Sequence, residues 1–326
     1  MSKIRFFKRG ILERILEFDE ALSKLVIKDG QGNVIKDLEE EVQVQQGIPV
    51  YDLLLYKDPD TNETVLADES GDEIARSPML DSAVLNALSS VLSEGDVLAV
   101  KGHHVLSGLL SLESGVKLVG LGNATIEPDT VDDYIKLENV QDIQIVGIRL
   151  YSPTFTKLID TVDTDKILIH RCTLDGDVYG SGLVITDSVL KSTVVVGNSV
   201  VSNSRLVDSD INIDGNRGGE SIVIGNHLET THKPAGIVVA NDANNCLIAL
   251  NVIKGYDSGI RLMEGSYILV IGNIIADCST YGIYIDNHVG NSYVQKNLLV
   301  NCPTPISNLS STTVLGADTS NDNMVV

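Results

Sequence analysis

The chain has 326 residues, 43% of them hydrophobic but only 4% aromatic and none Trp, so its core must be built from Val, Ile, Leu and Ala, a diet that favours strands in a narrow interior. Lys and Arg number 24 against 45 Asp and Glu, a net charge of −21, which repels phosphate backbones and argues against nucleic acid as a main partner. No stretch reaches the ~18 apolar residues of a membrane span, so no membrane insertion is expected.

The first segment, "MSKIRFFKRGILERILEFDEAL", starts basic, but Glu13, Glu17, Asp19 and Glu20 interrupt any apolar signal core, and a cleaved secretory signal is not expected. Ile11, Ile15, Phe18, Leu22 and Leu25 step by 4, 3, 4 and 3, a short heptad seam. It predicts a helix that either joins chains or packs on its own domain. "VIKDGQGNVIKD" and "YDLLLYKDPDTNETVLADESGDEI" read as β-hairpins turning at "DGQGN" and "DPDTNE". Residues 1–76 are therefore expected to form an oligomerisation or attachment segment of helix plus hairpins.

A second helix is predicted over 81–93. Asp81 or Ser82 can cap it, and Val84, Leu85, Ala87, Leu88, Val91 and Leu92 supply an apolar face. Beyond it the chain repeats itself. Asn123, Gly147 and Arg171 are 24 apart, and Asn198, Asn226, Asn251, Asn273 and Asn297 follow at steps of 27, 28, 25, 22 and 24. Each unit holds short β-branched runs separated by Gly, Asn, Asp and Ser, with no helical spacing. Coils of about 24 residues made of short strands, stacked ~4.8 Å apart, make a parallel β-solenoid. The Asn column is expected at a tight turn, in the left-handed conformation, with its amides hydrogen-bonded along the stack. Gly236, Gly259 and Gly282, each 23 apart, mark a second expected turn.

With the entry "LDSAVLNALSSVLSEGDVLAVKGHHVLSGLLSLESGVKLVGLGNATI" in place, the chain resembles the right-handed parallel β-helix superfamily, which includes pectate lyases, polygalacturonases and phage tailspikes. The resemblance covers roughly Asp81 to Pro305 and implies an all-β fold: a right-handed parallel β-helix of about eight or nine rungs over 77–305, plugged by the helix, with a C-terminal strand or tail over 306–326. A small module ahead of the coil is closest in layout to viral tailspikes. That layout implies a homotrimer at a virion surface or extracellular appendage, attached through residues before Ser77 and meeting a host-surface polysaccharide or receptor with its flank. A polysaccharide hydrolase or lyase is the alternative, and a purely architectural coat or appendage subunit a third.

Candidate chemistry gathers in the last rungs. Glycosidases of this fold set paired carboxylates on one face, and the acids Asp175 with Asp177, Asp208 with Asp210, and Asp257 near Asp277 stand at suitable intervals. "GYDSGIRLM" supplies Asp257 and Arg261, four residues apart across a turn, as a catalytic pair or a structural salt bridge. The polygalacturonase pattern departs here, since Arg-x-Lys and Gly-His-Gly are missing. Tyr256, Tyr281 and Tyr284, with Tyr267 and Tyr293 nearby and Asp277 beside them, are expected as sugar-stacking residues or as ordinary strand positions. The six His show no metal-ligand spacing, and neither a metal nor a cofactor is expected. Cys278 and Cys302, 24 apart, stand at the same register of adjacent rungs, where the ~4.8 Å spacing permits a disulfide and a reduced stacked ladder is the expectation.

Overall fold

A computed structural model gives the backbone of residues 3–8, 11–19, 24–29 and 34–37 and the full chain over 51–132, 134–152, 157–218, 220–231, 233–315 and 323–325. Met1–Val50 and Tyr51–Val326 are separate compact units.

The first unit corrects the helix expected over residues 11–25. Lys3–Lys8, Ile11–Asp19, Lys24–Asp29 and Val34–Asp37 form an antiparallel four-stranded sheet. Leu22 lies outside the described residues. A single short helix in water is marginal, whereas "ILERILEFD" has neighbours on both sides, "KIRFFK" and "KLVIKD", rich in aromatic and β-branched residues that pair with it. The hairpin expected at "DGQGN" is present between the last two strands.

In the second unit the boundary moves from 76 to 50. Leu53–Lys57, Thr64–Asp68 and Glu73–Ser77 form the second hairpin and its extension, and Leu53–Lys57 pairs in parallel with Val97–Leu106, the first strand of the coil. The hairpin therefore covers the edge that the first rung would otherwise leave unpaired. The helix runs Ser82–Val91. Asp81 caps it by accepting from Ala83 N at 3.0 Å, and Val84, Leu85 and Leu88 are buried. Together, hairpin and helix close one end of the apolar interior.

From Val97 the chain winds as a parallel coil whose rungs present three strands each. The first face stacks strands such as Gln144–Val146, Ile167–His170 and Leu183–Thr186. The second stacks Arg149–Tyr151, Thr173–Asp175 and Val189–Leu190. The third is a ten-stranded parallel sheet from Leu109–Ser111 to Thr304–Asn308. Ile145, Ile169, Ile185, Val201, Val223, Ile248, Val270 and Val294, one per rung, point inward and are 0% exposed. The tail contributes a further partial rung, Val314–Leu315 on Tyr293–Gln295 and Met324–Val325 on Leu298–Val300.

The rungs are not of one length. Ile169 pairs with Ile185 and Ile185 with Val201, so two successive rungs span 16 residues each (185 − 169 and 201 − 185). The marks Arg171, Asn198 and Asn226 therefore enclose three rungs rather than two. Asn198 belongs to another corner, where it is left-handed (φ 48°), and Asn123 is exposed at the irregularity of Lys117–Pro128.

The true column holds Cys172, Ser188, Ser204, Asn226, Asn251, Asn273, Asn297 and Asn323. In each step the backbone N–H donates to the side chain one rung on: Ser188 N to Ser204 Oγ (3.2 Å), Ser204 N to Asn226 Oδ1 (3.0 Å), Asn226 N to Asn251 Oδ1 (3.0 Å), and so on to Asn323. The Asn amides of 226, 251, 273 and 297 also donate to the next Oδ1 at 2.9–3.0 Å. The amide stacking expected from the sequence is present, but the left-handed residue is the one before: Asp187, Asn203, Gly225, Leu250, Gly272 and Lys296. The inward Asn thus satisfies groups that the bend leaves without partners.

Gly236, Gly259 and Gly282 also stack, but inside strands of the third face and without a positive φ. Their role is space. A Cβ at Gly259 would lie 2.3 Å from Ile275 Cγ2 and 2.8 Å from Gly282 O.

Candidate functional site

Outward positions on the third face form a straight row. Register places Lys136, Asp160, Tyr179, Val195, Asn212, Val238, Arg261, Tyr284 and Ser307 one above another. Two groups of aromatic and charged side chains stand on this row. Five rung steps separate Tyr179 from Tyr284, ~24 Å at ~4.8 Å each.

The first group centres on Tyr179. Lys157 Nζ lies 4.9 Å from the ring centroid of Tyr134 and 5.7 Å from that of Tyr179, and the Arg217 guanidinium is 5.5 Å from the Tyr179 ring on its own approach. Two cations about one ring draw on its negative faces. Lys157 also pairs with Asp160 at 2.9 Å, while Arg217 is 3.9 Å from the other oxygen, Oδ1, which is buried and has no hydrogen-bond partner among the described residues. Asn212 Oδ1, further along the row, is likewise buried and unpartnered among those residues.

The Tyr179 hydroxyl donates to Asp177 Oδ2 at 3.2 Å. Burial and the adjacent Asp177 carboxylate push its pKa up, so the phenol stays protonated. Asp177 is held by Ser192 Oγ and by Thr193 N at 3.1 Å. Arg217 arrives on the short turn Gly215–Arg217, capped by Asp214, which accepts from Asn216 N. That turn lies directly on Gly197, where a Cβ would be 2.4 Å from the Arg217 carbonyl carbon. Gly197 therefore permits the approach that carries Arg217 over the face.

The second group contains three of the residues singled out in the sequence. Tyr281 and Tyr284 have ring centroids 5.2 Å apart, and the Arg261 guanidinium is 5.8 Å from the Tyr284 centroid. Tyr284 Oη donates to Asp286 Oδ2 at 3.0 Å, and His288 Nδ1 is 2.8 Å from Asp286 Oδ1. The tyrosine hydroxyl and the His288 contacts hold Asp286 below the usual carboxylate range, and its carboxylate in turn raises the pKa of the Tyr284 phenol.

The remaining candidates stand elsewhere. Tyr256 is 0% exposed and donates to Ser209 O at 2.6 Å, so it is a core residue and offers no platform. Its position, an apolar run broken by Gly255, reads identically in sequence for an inward and an outward ring. Asp257 is exposed in the turn and accepts from Ser279 Oγ at 2.6 Å. No ion pair joins it to Arg261 among the described residues. Asp277 is a left-handed turn residue that accepts from Asn301 Nδ2 at 3.0 Å and lies 3.8 Å from Lys254. Asp175 pairs with Lys191, Asp208 accepts from Thr230, and Asp210 is shared by Thr193 and Lys233. These acids satisfy turns.

Among the described residues no group of three or more His, Cys, Asp or Glu is placed to hold a metal ion. A shallow hollow of about 390 Å³ at Asn203, Ser204, Arg205, Gly225 and His227 lies on another side of the coil and carries no aromatic residue. The third-face row, with rings, cations and unpartnered acceptors together, is the better site.

Residues 163–323 match the family model described as right handed beta helix region. The second unit folds as a right-handed parallel β-helix. No curated protein matches its sequence. Among solved structures the β-helix is similar to a PL6 alginate lyase in complex with a trisaccharide, at 13% identity and TM-score 0.52, covering 71% of this chain and 60% of that one. It is also similar to a double mutant of the tailspike protein of E. coli bacteriophage HK620 in complex with a pentasaccharide, at 13% identity and TM-score 0.52, covering 79% and 63%. The β-helix thus spans about three fifths of the length of these structures, and at such identities the likeness is one of fold.

Proposed function

We propose that this β-helix is a tailspike-like, virion- or appendage-borne protein that binds an extended, carboxylate-bearing surface polysaccharide along its third face, with residues 1–50 as the attachment module. The carrying observation is the Tyr179 group. In a chain of net charge −21, Lys157 and Arg217 converge on one ring at the outer surface. Aromatic rings suit the apolar faces of sugars, and an Arg presents a planar fork to a carboxylate. The second group, Arg261 with Tyr281 and Tyr284, repeats that chemistry on the same row, as a polymer of repeating units would require.

Cleavage is a second reading, favoured by Asp160: its buried Oδ1 accepts no hydrogen bond among the described residues and stands one rung from Tyr179, so a carboxylate oxygen is left to meet a bound substrate.

Calorimetric titration against a panel of acidic and neutral polysaccharides tests both. Binding of an acidic member is expected, with Tyr179→Ala and Lys157→Ala each weakening it by about tenfold or more. Release of reducing ends, abolished by Asp160→Asn with binding retained, selects the enzyme. Equal affinity of wild type and both variants removes the site.

A further inference from the structure

The two ends of the coil differ. Hairpin and helix close the first. At the last, no described strand lies beyond Thr304–Asn308 on the third face, and the second face ends where Leu298 and Leu299 pair with Met324 and Val325. Leu309, Leu315, Met324 and Val325 are exposed there. Rungs at an uncovered end open first, since each is held by one neighbour instead of two. At this end the chain sets two cysteines on adjacent rungs. Register pairs Ala276 with Val300, so Cys278 and Cys302, two residues further on, occupy the same corner one rung apart. The other two cysteines have no such partner: Cys172 stands between Ile148 and Ser188, and Cys246 between Ser221 and Ile268.

The corner leaves room for both sulfurs. One rung earlier the same place holds the buried Tyr256. Gly236, Gly259 and Gly282 face this column in order. A Cβ would lie 3.4 Å from Tyr256 Cδ2 at the first, 3.5 Å from Cys278 Sγ at the second and 3.4 Å from Cys302 Sγ at the third. Cys278 is 4% exposed, whereas Cys302 is half-buried and has no described rung beyond it. The Cys302 sulfur leans back towards its neighbour, 3.4 Å from Val300 O on its own rung and 3.9 Å from Ile275 O on the rung of Cys278. Cα atoms one rung apart, ~4.8 Å, fall inside the span of about 4.4–6.8 Å that a disulfide bridges.

We propose that Cys278 and Cys302 form a thiol modification site, an oxidisable pair that closes into a disulfide and staples the entries to the last two strands of the third-face sheet. The oxidant is a small molecule that carries a disulfide. Cys302 attacks first, because it is the accessible thiol and the neighbouring Cys278 lowers its pKa. Its thiolate bonds to one sulfur of the oxidant, the oxidant's S–S bond breaks, and the other sulfur leaves and takes up a proton. Cys278 then gives up its proton and attacks Cys302 Sγ. The protein S–S bond forms, the mixed one breaks, and the second sulfur leaves as a thiol. Two protein thiols are thus oxidised by two electrons and one disulfide is reduced to two thiols. The pair stays open in a reducing compartment and closes outside it. Once closed, it ties Tyr281–Ile285, the strand of Tyr281 and Tyr284, to Thr304–Asn308 at the end where opening begins. The inference holds with or without a glycan on the third face.

The test takes the full chain, purified with dithiothreitol and then freed of it, and holds it with excess hydroxyethyl disulfide, an uncharged oxidant. The protein is then unfolded in iodoacetamide and weighed by mass spectrometry. Wild type is expected to take label at Cys172 and Cys246 alone, to carry no adduct, and to yield a cross-linked peptide holding Cys278 and Cys302. Its melting temperature is expected to rise by several degrees on oxidation and to fall back with dithiothreitol. Cys278→Ser is expected to stop at a mixed disulfide on Cys302, and Cys302→Ser to leave Cys278 unoxidised. Wild type labelled at all four cysteines overturns the proposal. So does an adduct that persists on Cys302 of the wild type, or a closed bond that leaves the melting temperature unchanged.

Discussion

Asn251 is the residue whose replacement tests the internal ladder most sharply. It is 0% exposed. Its Oδ1 accepts from Asn226 N and Asn226 Nδ2, both at 3.0 Å, and its Nδ2 donates to Val223 O and Asn273 Oδ1, both at 2.9 Å. Truncation to Ala removes all four. Asn226 Nδ2 keeps Val201 O, Asn273 Oδ1 keeps Asn251 N, and Val223 C=O keeps its place in the parallel ladder with Leu247–Ala249, so one group is left without a partner inside the coil, Asn226 N–H. At about 1–3 kcal/mol for a buried polar group left unpaired, Asn251→Ala should cost about 1–3 kcal/mol. Asn251→Ser should cost less, because a hydroxyl there can still accept from the preceding N–H, as Ser204 does for Ser188 at 3.2 Å. Urea unfolding followed by circular dichroism at fixed pH gives both numbers. If Ala and Ser are equally destabilising, or if both lie within about 0.5 kcal/mol of wild type, the ladder does not act as a chain of paired groups.

Gly259→Ala should destabilise by about 1–3 kcal/mol by overpacking, since the new Cβ meets Ile275 and the Gly282 carbonyl in a strand, and thermal melting reads it. His104 bridges Thr64 Oγ1 (3.2 Å) and Lys101 O (3.0 Å), and burial, followed by the charges of Lys57 and His103, lowers its pKa to about 4. Its folded pKa lies below the unfolded value, so its neutral form supports the fold fully above pH ~6.5. About 3 kcal/mol should be lost as pH falls from there to ~4, a slope that His104→Gln should flatten in pH-dependent melting. Cys302 is half-buried and the neighbouring Cys278 thiol lowers its pKa, whereas burial raises Cys172 and Cys246 to about 11. Brief alkylation of the native protein near neutral pH, read by mass spectrometry, should mark Cys302 first.

The coil was legible because strand, turn and Asn recur at near-constant spacing from Asn226 to Asn297, and there the sequence marks coincide with the ladder. It was misread where spacing fails. The 16-residue rungs at Ile169, Ile185 and Val201 carry Ser instead of Asn at the ladder position, so Asn spacing alone leads to Asn198 on another corner. Asn323 stands in "TSNDNMVV", whose apolar run is too short to mark a strand from sequence. The Tyr179 group was hidden for the same reason as the short rungs. Tyr134, Lys157, Tyr179 and Arg217 come from four stretches of chain, and only the true register brings them together on the third face. Arg261, Tyr281 and Tyr284 are legible because they lie in two regular rungs, while Tyr256, in the turn just before the strand Ser258–Leu262, points inward.

The central claim is that a polysaccharide lies along the third face. A crystal structure of the full chain with an oligosaccharide cut from the polymer that binds it is the most direct measurement. The account predicts sugar rings over Tyr179, with a carboxylate at Lys157 or Arg217 and the chain running parallel to the coil axis towards Tyr284. Sugar bound at the hollow of Arg205 and His227, or across the first face, with the Tyr179 row left bare, contradicts it.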